Sequence, residues 1–164
     1  MATYDASLTI YYRGELIGEA VASELLQATS DPAEQVRWAT LLQLETETKV
    51  WLRPLLVARG LGIAEGAQAR AMAEQMVAPM RGLGWRVQME SQFRLIGEDA
   101  LPLYAGLVAD AHARGRPDEI AVCEHMFAHE NAQLEWVRRE LEGADVAACV
   151  EPMARLLEHP LAWP

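Results

Sequence analysis

The sequence predicts an all-helical fold, and three observations lead to this prediction. Residues that favour helices (Ala, Leu, Glu, Gln, Arg and Met) dominate the composition. In four long stretches the apolar residues recur three or four positions apart, as one face of a helix requires. Val, Ile and Thr nowhere alternate with polar residues over the length of a strand. At 164 residues, the chain fits one domain, residues 1–164, with room for a buried core.

The first helix is predicted from about Ser7 to Ala28. Its apolar face includes Glu15, a carboxylate at a position where the pattern asks for an apolar residue. Gly14 and Gly18 weaken the helix locally, but they allow a neighbouring helix to approach closely. The first helix is therefore expected to bury a carboxylate against its neighbour.

The second helix is predicted to begin at Asp31-Pro32, where Asp is a favourable N-cap and Pro suits the first helical position. It should end near Arg59, with Gly60 as a left-handed C-cap. Its apolar face includes Glu45. Because a tight turn joins the two helices, they should run antiparallel, with Glu15 level with Glu45. Neighbouring buried carboxylates repel each other unless a cation or a proton lies between them.

Residues 61–84 are rich in Gly and Pro around a shorter helical piece, Ala67 to Val77, which is typical of a crossover between two helical hairpins. The third long helix is predicted from about Trp85 to Ala113, with a bend at Pro102. A short turn then leads into the fourth helix, from about Pro117 to Leu141. A short fifth helix, residues 145–158, should follow, with a kink near Pro152.

The charge and the cysteine content limit the possible functions. A net charge of −10 argues against nucleic acid and against an anionic membrane surface as partners. No apolar run reaches the length of a membrane span, and the N-terminus lacks the features of a signal peptide. The two cysteines, Cys123 and Cys149, form no CxxC motif and no disulfide framework. We therefore predict a soluble, cytoplasmic protein.

Two helical hairpins joined by a long crossover, residues 7–141, resemble the ferritin-like superfamily. The resemblance implies a four-helix bundle in which a Glu from each of the first and third helices, and Glu-x-x-His from the second and fourth, bind two metal ions. On this sequence it implies Glu15, Glu45 and Glu130 as ligands. The two histidines of the motif are replaced by Thr48 and Gln133. Gln at the latter position also occurs in ferritins.

The ligand from the third helix has two candidates. Glu90 lies on the apolar face, whereas Glu98 lies nearer the level of Glu130 but at the edge of that face. The phase of the helix favours Glu90 and its register favours Glu98; we prefer Glu98 and keep Glu90 as the alternative.

A histidine can also return from another position of the fourth helix. His125 and His129 are four residues apart, a spacing at which two imidazoles can share one metal ion. His129, beside Glu130, is the better candidate.

The leading functional hypothesis is a carboxylate site for iron or manganese with redox or oxygenase-like activity, because carboxylates are hard oxygen ligands. Tyr12 or Tyr104 could then pass electrons. If no metal is bound, the carboxylates must be protonated, hydrogen-bonded by these tyrosine hydroxyls, or paired with Arg; the candidates are Arg13, Arg53 and Arg94.

Two alternatives belong to other functional classes. A metal-free bundle would be a structural or protein-interaction module, expected as a homodimer, with tryptophans as an apolar contact surface (Trp38, Trp85, Trp136 and Trp163). These tryptophans could equally cap the core. A third possibility is a helical protein that binds a small apolar ligand in a cavity near the carboxylates.

Overall fold

The computed structural model describes residues 3–63 and 67–160, and every regular element within these ranges is helical. Trp163 lies outside the described residues. The α-helices are α1 (Tyr4–Ala28), α2 (Pro32–Ala58), α3 (Ala67–Val77), α4 (Trp85–Arg94), α5 (Leu101–Arg114), α6 (Pro117–Glu142) and α7 (Val146–Ala154). A short 3₁₀ helix, Ala78–Met80, follows α3, and a π-helical turn, Leu95–Ala100, joins α4 to α5. The predicted all-helical class is therefore confirmed.

The first helix begins three residues before the predicted start, because Thr3 serves as its N-cap. The Thr3 hydroxyl accepts a hydrogen bond of 3.3 Å from the Ala6 backbone N–H, one of the donors that the helix leaves unpaired. The predicted cap of α2 is confirmed, since Asp31 Oδ1 accepts from Ala33 N at 2.8 Å and from Glu34 N at 3.0 Å. Gly60, which follows α2, is left-handed, with a φ of 69°.

The third predicted helix is interrupted. Its backbone widens into the π-helical turn Leu95–Ala100, which ends two residues before Pro102. Proline lacks an N–H, and its ring clashes with the carbonyl four residues earlier, here that of Glu98. A π turn relieves this clash by inserting an extra residue. The structure thus has a π-helical turn directly before Pro102, where the sequence predicts a bend.

The last two helices follow the prediction with one difference. Helix α6 has the expected extent, and the glycines that flank it, Gly115 and Gly143, have φ values of 69° and 80°. Helix α7 is shorter than residues 145–158, since it ends at Ala154, two residues after Pro152.

Helix α1 packs against α2 and α3, while α6 packs against α2, α4, α5 and α7. Two apolar clusters fill the interior. The Leu8 cluster consists mainly of residues Leu8, Tyr12, Leu16, Leu52, Leu55, Leu56, Tyr104, Leu107, Cys123 and Met126. The Trp38 cluster includes Val21, Leu25, Trp38, Leu41, Leu44, Met89, Ile96, Trp136, Val137 and Met153. Helices α1, α2 and α6 contribute buried polar side chains between the two clusters. Lys49 of α2 pairs with Glu19, and we call the other six residues the polar layer: Glu15, Glu45, Thr48, His129, Glu130 and Gln133.

Three of the tryptophans pack together in or against the Trp38 cluster. Trp38 and Trp136 are buried, and the rings of Trp85 and Trp136 each lie 5.5 Å from that of Trp38. The expectation that Trp38 and Trp136 supply a contact surface is therefore wrong, because burial within the chain leaves them unavailable to a partner.

Within residues 3–63 and 67–160, no helix combines the length and the apolar character that crossing a membrane requires.

Candidate metal centre

The polar layer brings together carboxylates from three helices and one imidazole. Glu15 of α1, Glu45 of α2 and Glu130 of α6 are 1%, 5% and 8% exposed, and His129 of α6 is fully buried. Burying a charged group is costly unless it is paired, so three carboxylates at one level require a compensating group. The antiparallel pairing of α1 and α2 places Glu15 and Glu45 side by side, as their distance from the Asp31 turn predicts.

His129 lies between the carboxylates of the first two helices. Its Nδ1 is 3.4 Å from Glu15 Oε2, and its Nε2 is 3.5 Å from Glu45 Oε1. One ligand atom from each of these three residues lies within 4.8 Å of the others. We call Glu15, Glu45 and His129 the triad. Among the described residues, it is the group whose donor atoms converge closely enough to hold one metal ion.

Thr48 and Gln133, where the resemblance implied histidines, both contact His129. Thr48 Oγ1 lies 2.8 Å from His129 Nδ1, so the two form a hydrogen bond. Gln133 donates from Nε2 to Glu45 Oε1 at 2.9 Å, and its side chain also contacts His129 Nε2. Thr48 and Gln133 therefore orient the triad rather than supply imidazoles, and the single His129 occupies the space between them.

A tyrosine from α5 completes the polar layer on the side of the third helix. Tyr104 donates a hydrogen bond of 3.2 Å from its hydroxyl to Glu15 Oε1. Burial raises the pKa of Tyr104 well above its usual value, and the nearby charge of Glu15 adds to this rise, so the hydroxyl keeps its proton. Tyr104 is thus a hydrogen-bond donor as expected, whereas Tyr12 accepts a hydrogen bond of 3.1 Å from Arg53 Nε in the Leu8 cluster.

One carboxylate oxygen of the triad is unsatisfied. Glu15 Oε2 is buried and has no hydrogen-bond partner among the residues that the structure describes. Buried polar atoms nearly always have a partner, so an exception needs an explanation. The atom faces the imidazole of His129, where a bound cation would satisfy it.

The pKa values of the carboxyl groups in the polar layer are raised, which favours their protonated forms. Burial raises the pKa of Glu15 well above its usual value, raises that of Glu45 to about 8 and raises that of Glu130 to about 7. The neighbouring carboxylates raise the pKa values of Glu15 and Glu130 further. Within the described residues, none of the three forms an ion pair with Arg or Lys. Neutrality therefore depends on protons or on a cation from outside the chain.

Gly18 makes room for Glu45. A Cβ atom at Gly18 would lie 2.6 Å from the carboxylate carbon and both oxygens of Glu45, which is closer than real Cβ contacts. At Gly14 the nearest atom is the Tyr104 hydroxyl oxygen at 3.6 Å, an ordinary contact. Of the two glycines predicted to allow a close approach of the neighbouring helix, Gly18 is the one where α2 comes close, through the side chain of Glu45.

The two carboxylate candidates of the third helix lie outside the polar layer. Glu98 is exposed, and Glu90 is half-exposed, with an ion pair of 3.0 Å to Arg86 one turn away. The structure thus brings neither residue to the triad. The π-helical turn between α4 and α5 accounts for this difference, because neither one phase nor one register extends along the whole predicted helix. The sequence signal for Tyr104 was present, since it lies on the apolar face of the same predicted helix.

His125 also remains outside the triad. Its ring stacks on the half-exposed Trp51, with a centroid distance of 4.7 Å, and its Nε2 lies 3.5 Å from Thr48 Oγ1. Burial lowers the pKa of His125, and His129 lowers it further. Of the two histidines considered, the structure places only His129 among the carboxylates.

Comparison of the chain with protein-family models, with curated proteins and with solved structures gives no match. The function is therefore argued from the residues of the polar layer. Two carboxylates and one imidazole form a donor set that suits iron, manganese or zinc, and the unsatisfied Glu15 Oε2 lies among these donors. The residues present thus fit a metal ion.

Proposed function

We propose that this protein is a ferritin-like helical bundle that binds iron or manganese at the triad and functions in redox or oxygenase-like chemistry. The observation that supports it most directly is the buried, unsatisfied Glu15 Oε2, which lies 3.4 Å from His129 Nδ1. A cation there would neutralise Glu15 and Glu45, for which the described part of the chain provides no Arg or Lys partner. The ferritin-like arrangement of the helices is part of what we propose.

Each residue of the polar layer has a role in this proposal. Glu15, Glu45 and His129 would hold the ion, and Glu130 would be the remaining carboxylate available to a second one. Thr48 and Gln133 fix the orientation of His129 and Glu45, as outer hydrogen bonds commonly do for metal ligands. When bound, iron or manganese would supply the capacity to change oxidation state. The apolar clusters on both sides keep the polar layer away from water.

A second candidate function is a metal-free bundle that acts as a structural or protein-interaction module, with a homodimer as the expected state. It is favoured by the hydrogen bonds within the polar layer, because Tyr104, Thr48 and Gln133 already partner most of the polar atoms. Protonation of the carboxyl groups would then remove the repulsion between them. For an interaction role, α2 offers the exposed side chains of Val50, Trp51 and Val57.

The test is the metal content per chain of the purified protein. The protein would be produced with iron and manganese in the medium, purified without chelator or His-tag, and analysed by plasma mass spectrometry. We expect about one ion per chain, lost in Glu45→Gln and retained in Glu24→Gln, which alters an exposed carboxylate of α1 paired with Arg81.

The other outcome has a definite meaning as well. If the wild-type protein takes up neither metal above the level of Glu45→Gln, even when both are supplied anaerobically, the metal proposal is wrong. In that case Glu45→Gln should stabilise the protein at pH 8 because it removes a buried acid, and the metal-free module becomes the better account.

A further inference from the structure

A cavity separate from the polar layer lies among α1, α2 and α3. Its volume is ≈ 380 Å³, within the range of small-molecule sites in proteins. The side chains that line it come from all three helices: Leu16, Glu19, Ala20, Ser23, Leu42, Lys49, Ala69 and Arg70. The short helix α3 thus forms one wall of the cavity over the seam between α1 and α2.

The walls of the cavity are divided between apolar side chains and one internal ion pair. Leu16, Ala20, Leu42 and Ala69 offer aliphatic surface. Lys49 is 6% exposed, and its Nζ lies 2.6 Å from Glu19 Oε2. Thr46 donates a second hydrogen bond to Glu19, at 2.7 Å. The charge of Glu19 is therefore compensated within the protein and does not need a cationic ligand.

Arg70 supplies a positive charge where the cavity opens to solvent. Its side chain is exposed and forms no ion pair with another residue that the structure describes. The guanidinium group binds carboxylates through paired, charge-assisted hydrogen bonds. An available cation beside aliphatic walls favours a ligand with one negative charge and an apolar body.

We propose that this cavity binds a small aliphatic carboxylic acid. The carboxylate would contact Arg70, and the chain would lie along Leu16, Ala20 and Leu42. This extends the expectation of a small apolar ligand, because the exposed arginine adds a requirement for negative charge. The proposal does not depend on metal binding, since none of the lining residues belongs to the triad.

The test is isothermal titration calorimetry of the metal-free protein with octanoate, with octan-1-ol and octylammonium as neutral and cationic probes of similar length. We expect saturable binding of octanoate, weaker binding of the alcohol and no binding of the amine. Arg70→Glu should weaken octanoate binding about tenfold, because it reverses the charge that contacts the carboxylate. The matched control is Arg94→Glu, an exposed arginine on α4, which should leave binding unchanged.

A second variant tests the cavity itself. Ala20→Phe places a ring in the space that the aliphatic chain would occupy, and it should abolish octanoate binding while the circular dichroism spectrum remains helical. If the wild-type protein does not bind octanoate, or if Arg70→Glu and Arg94→Glu bind it equally well, the proposal is overturned. Equal binding of octanoate and octylammonium would overturn it too. Because Arg70 is exposed, its variant tests the proposal even if Ala20→Phe fails to fold.

Discussion

Two regions of the molecule bury carboxylates in different ways. At one end, Glu119 is fully buried, and three arginines surround it: Arg59 Nη1 at 2.8 Å, Arg114 Nε at 3.0 Å and Arg116 Nε at 3.2 Å. In the polar layer, by contrast, the partners of Glu15 and Glu45 are His129, Gln133 and Tyr104, and the described residues include no Arg or Lys partner.

The buried carboxylate of Glu140 follows the pattern of Glu119. Glu140 accepts hydrogen bonds from Arg37 Nε and from the indole N–H groups of Trp85 and Trp136. Within residues 3–63 and 67–160, arginines therefore neutralise buried carboxylates at two places, and none does so at the polar layer. The difference indicates that the charge of the polar layer is balanced from outside the chain, by a cation or by protons.

The largest expected effect concerns the arginine-paired acid. Glu119→Gln should lower the free energy of unfolding by about 3 kcal/mol, because removing one partner leaves the others of a buried ion cluster uncompensated. Urea unfolding curves measure this loss. The control is Glu124→Gln on the same helix, whose carboxylate is exposed and paired with His112; it should change stability by less than about 0.5 kcal/mol. Equal losses of stability in both variants would mean that the buried ion cluster around Glu119 contributes no more than an exposed ion pair.

The next effect concerns the pH dependence of stability that the polar layer causes. Because the folded pKa of Glu45 is about 8 and that of Glu130 about 7, both above the usual value of 4.5, the folded chain binds more protons than the unfolded chain between these values. These two groups should therefore make their full contribution to the stability of the metal-free protein below about pH 4.5. This contribution should decrease as the pH rises to 8, because the folded chain then loses protons that the unfolded chain has already released.

Unfolding measured in EDTA across this pH range checks the expected decrease. Glu45→Gln removes one of the titrating groups, so its stability should depend less on pH than that of the wild-type protein. A wild-type stability that rises steadily from pH 5 to pH 8 would mean that the carboxylates are charged in the folded metal-free state, and the contrast with Glu119 would then fail.

A smaller effect is expected where the backbone makes room for a ligand. Gly18→Ala should push the Glu45 carboxylate away from His129 and weaken iron or manganese binding about tenfold, which corresponds to about 1.4 kcal/mol. The stability of the metal-free protein should change little, because the higher helix propensity of Ala, about 1 kcal/mol, offsets the displacement of a flexible side chain. Gly14→Ala is the matched control, since it meets only an ordinary contact at 3.6 Å.

Metal titration of the two variants under anaerobic conditions separates the possibilities. Equal affinities in Gly18→Ala and Gly14→Ala would mean that the position of Glu45 beside Gly18 does not matter for the ion. A collapse of the fold in Gly18→Ala alone would mean instead that the polar layer is a packing feature.

The parts of the fold that depend on local chemistry could be predicted from the sequence. The Asp31-Pro32 cap and the left-handed Gly60 fixed the ends of α2, and counting from that turn placed Glu15 beside Glu45. His129 was a candidate because it lies beside Glu130, on the adjacent face of the same predicted helix.

The third helix could not be predicted in the same way. An apolar pattern assumes one phase along the whole helix, and the π-helical turn before Pro102 breaks this assumption. Glu90 was favoured by phase and Glu98 by register, yet neither lies at the polar layer, whereas Tyr104 of α5 does. Similarly, the triple pairing of Glu119 could not be predicted, because Arg59 and Arg116 are far apart in sequence and meet only in the folded chain.

The smallest expected effect concerns the two carboxylates of that helix. Glu98→Gln should leave both stability and metal content unchanged, because Glu98 is exposed. Glu90→Gln should lose only about 0.4 kcal/mol, the usual value of an exposed ion pair one turn apart, here with Arg86. Metal content per chain and urea unfolding are measured for both variants beside Glu130→Gln, whose buried carboxyl group should matter more. If Glu98→Gln removes the metal ion, a third-helix ligand belongs to the site after all, and the balance of charge in the polar layer must include it.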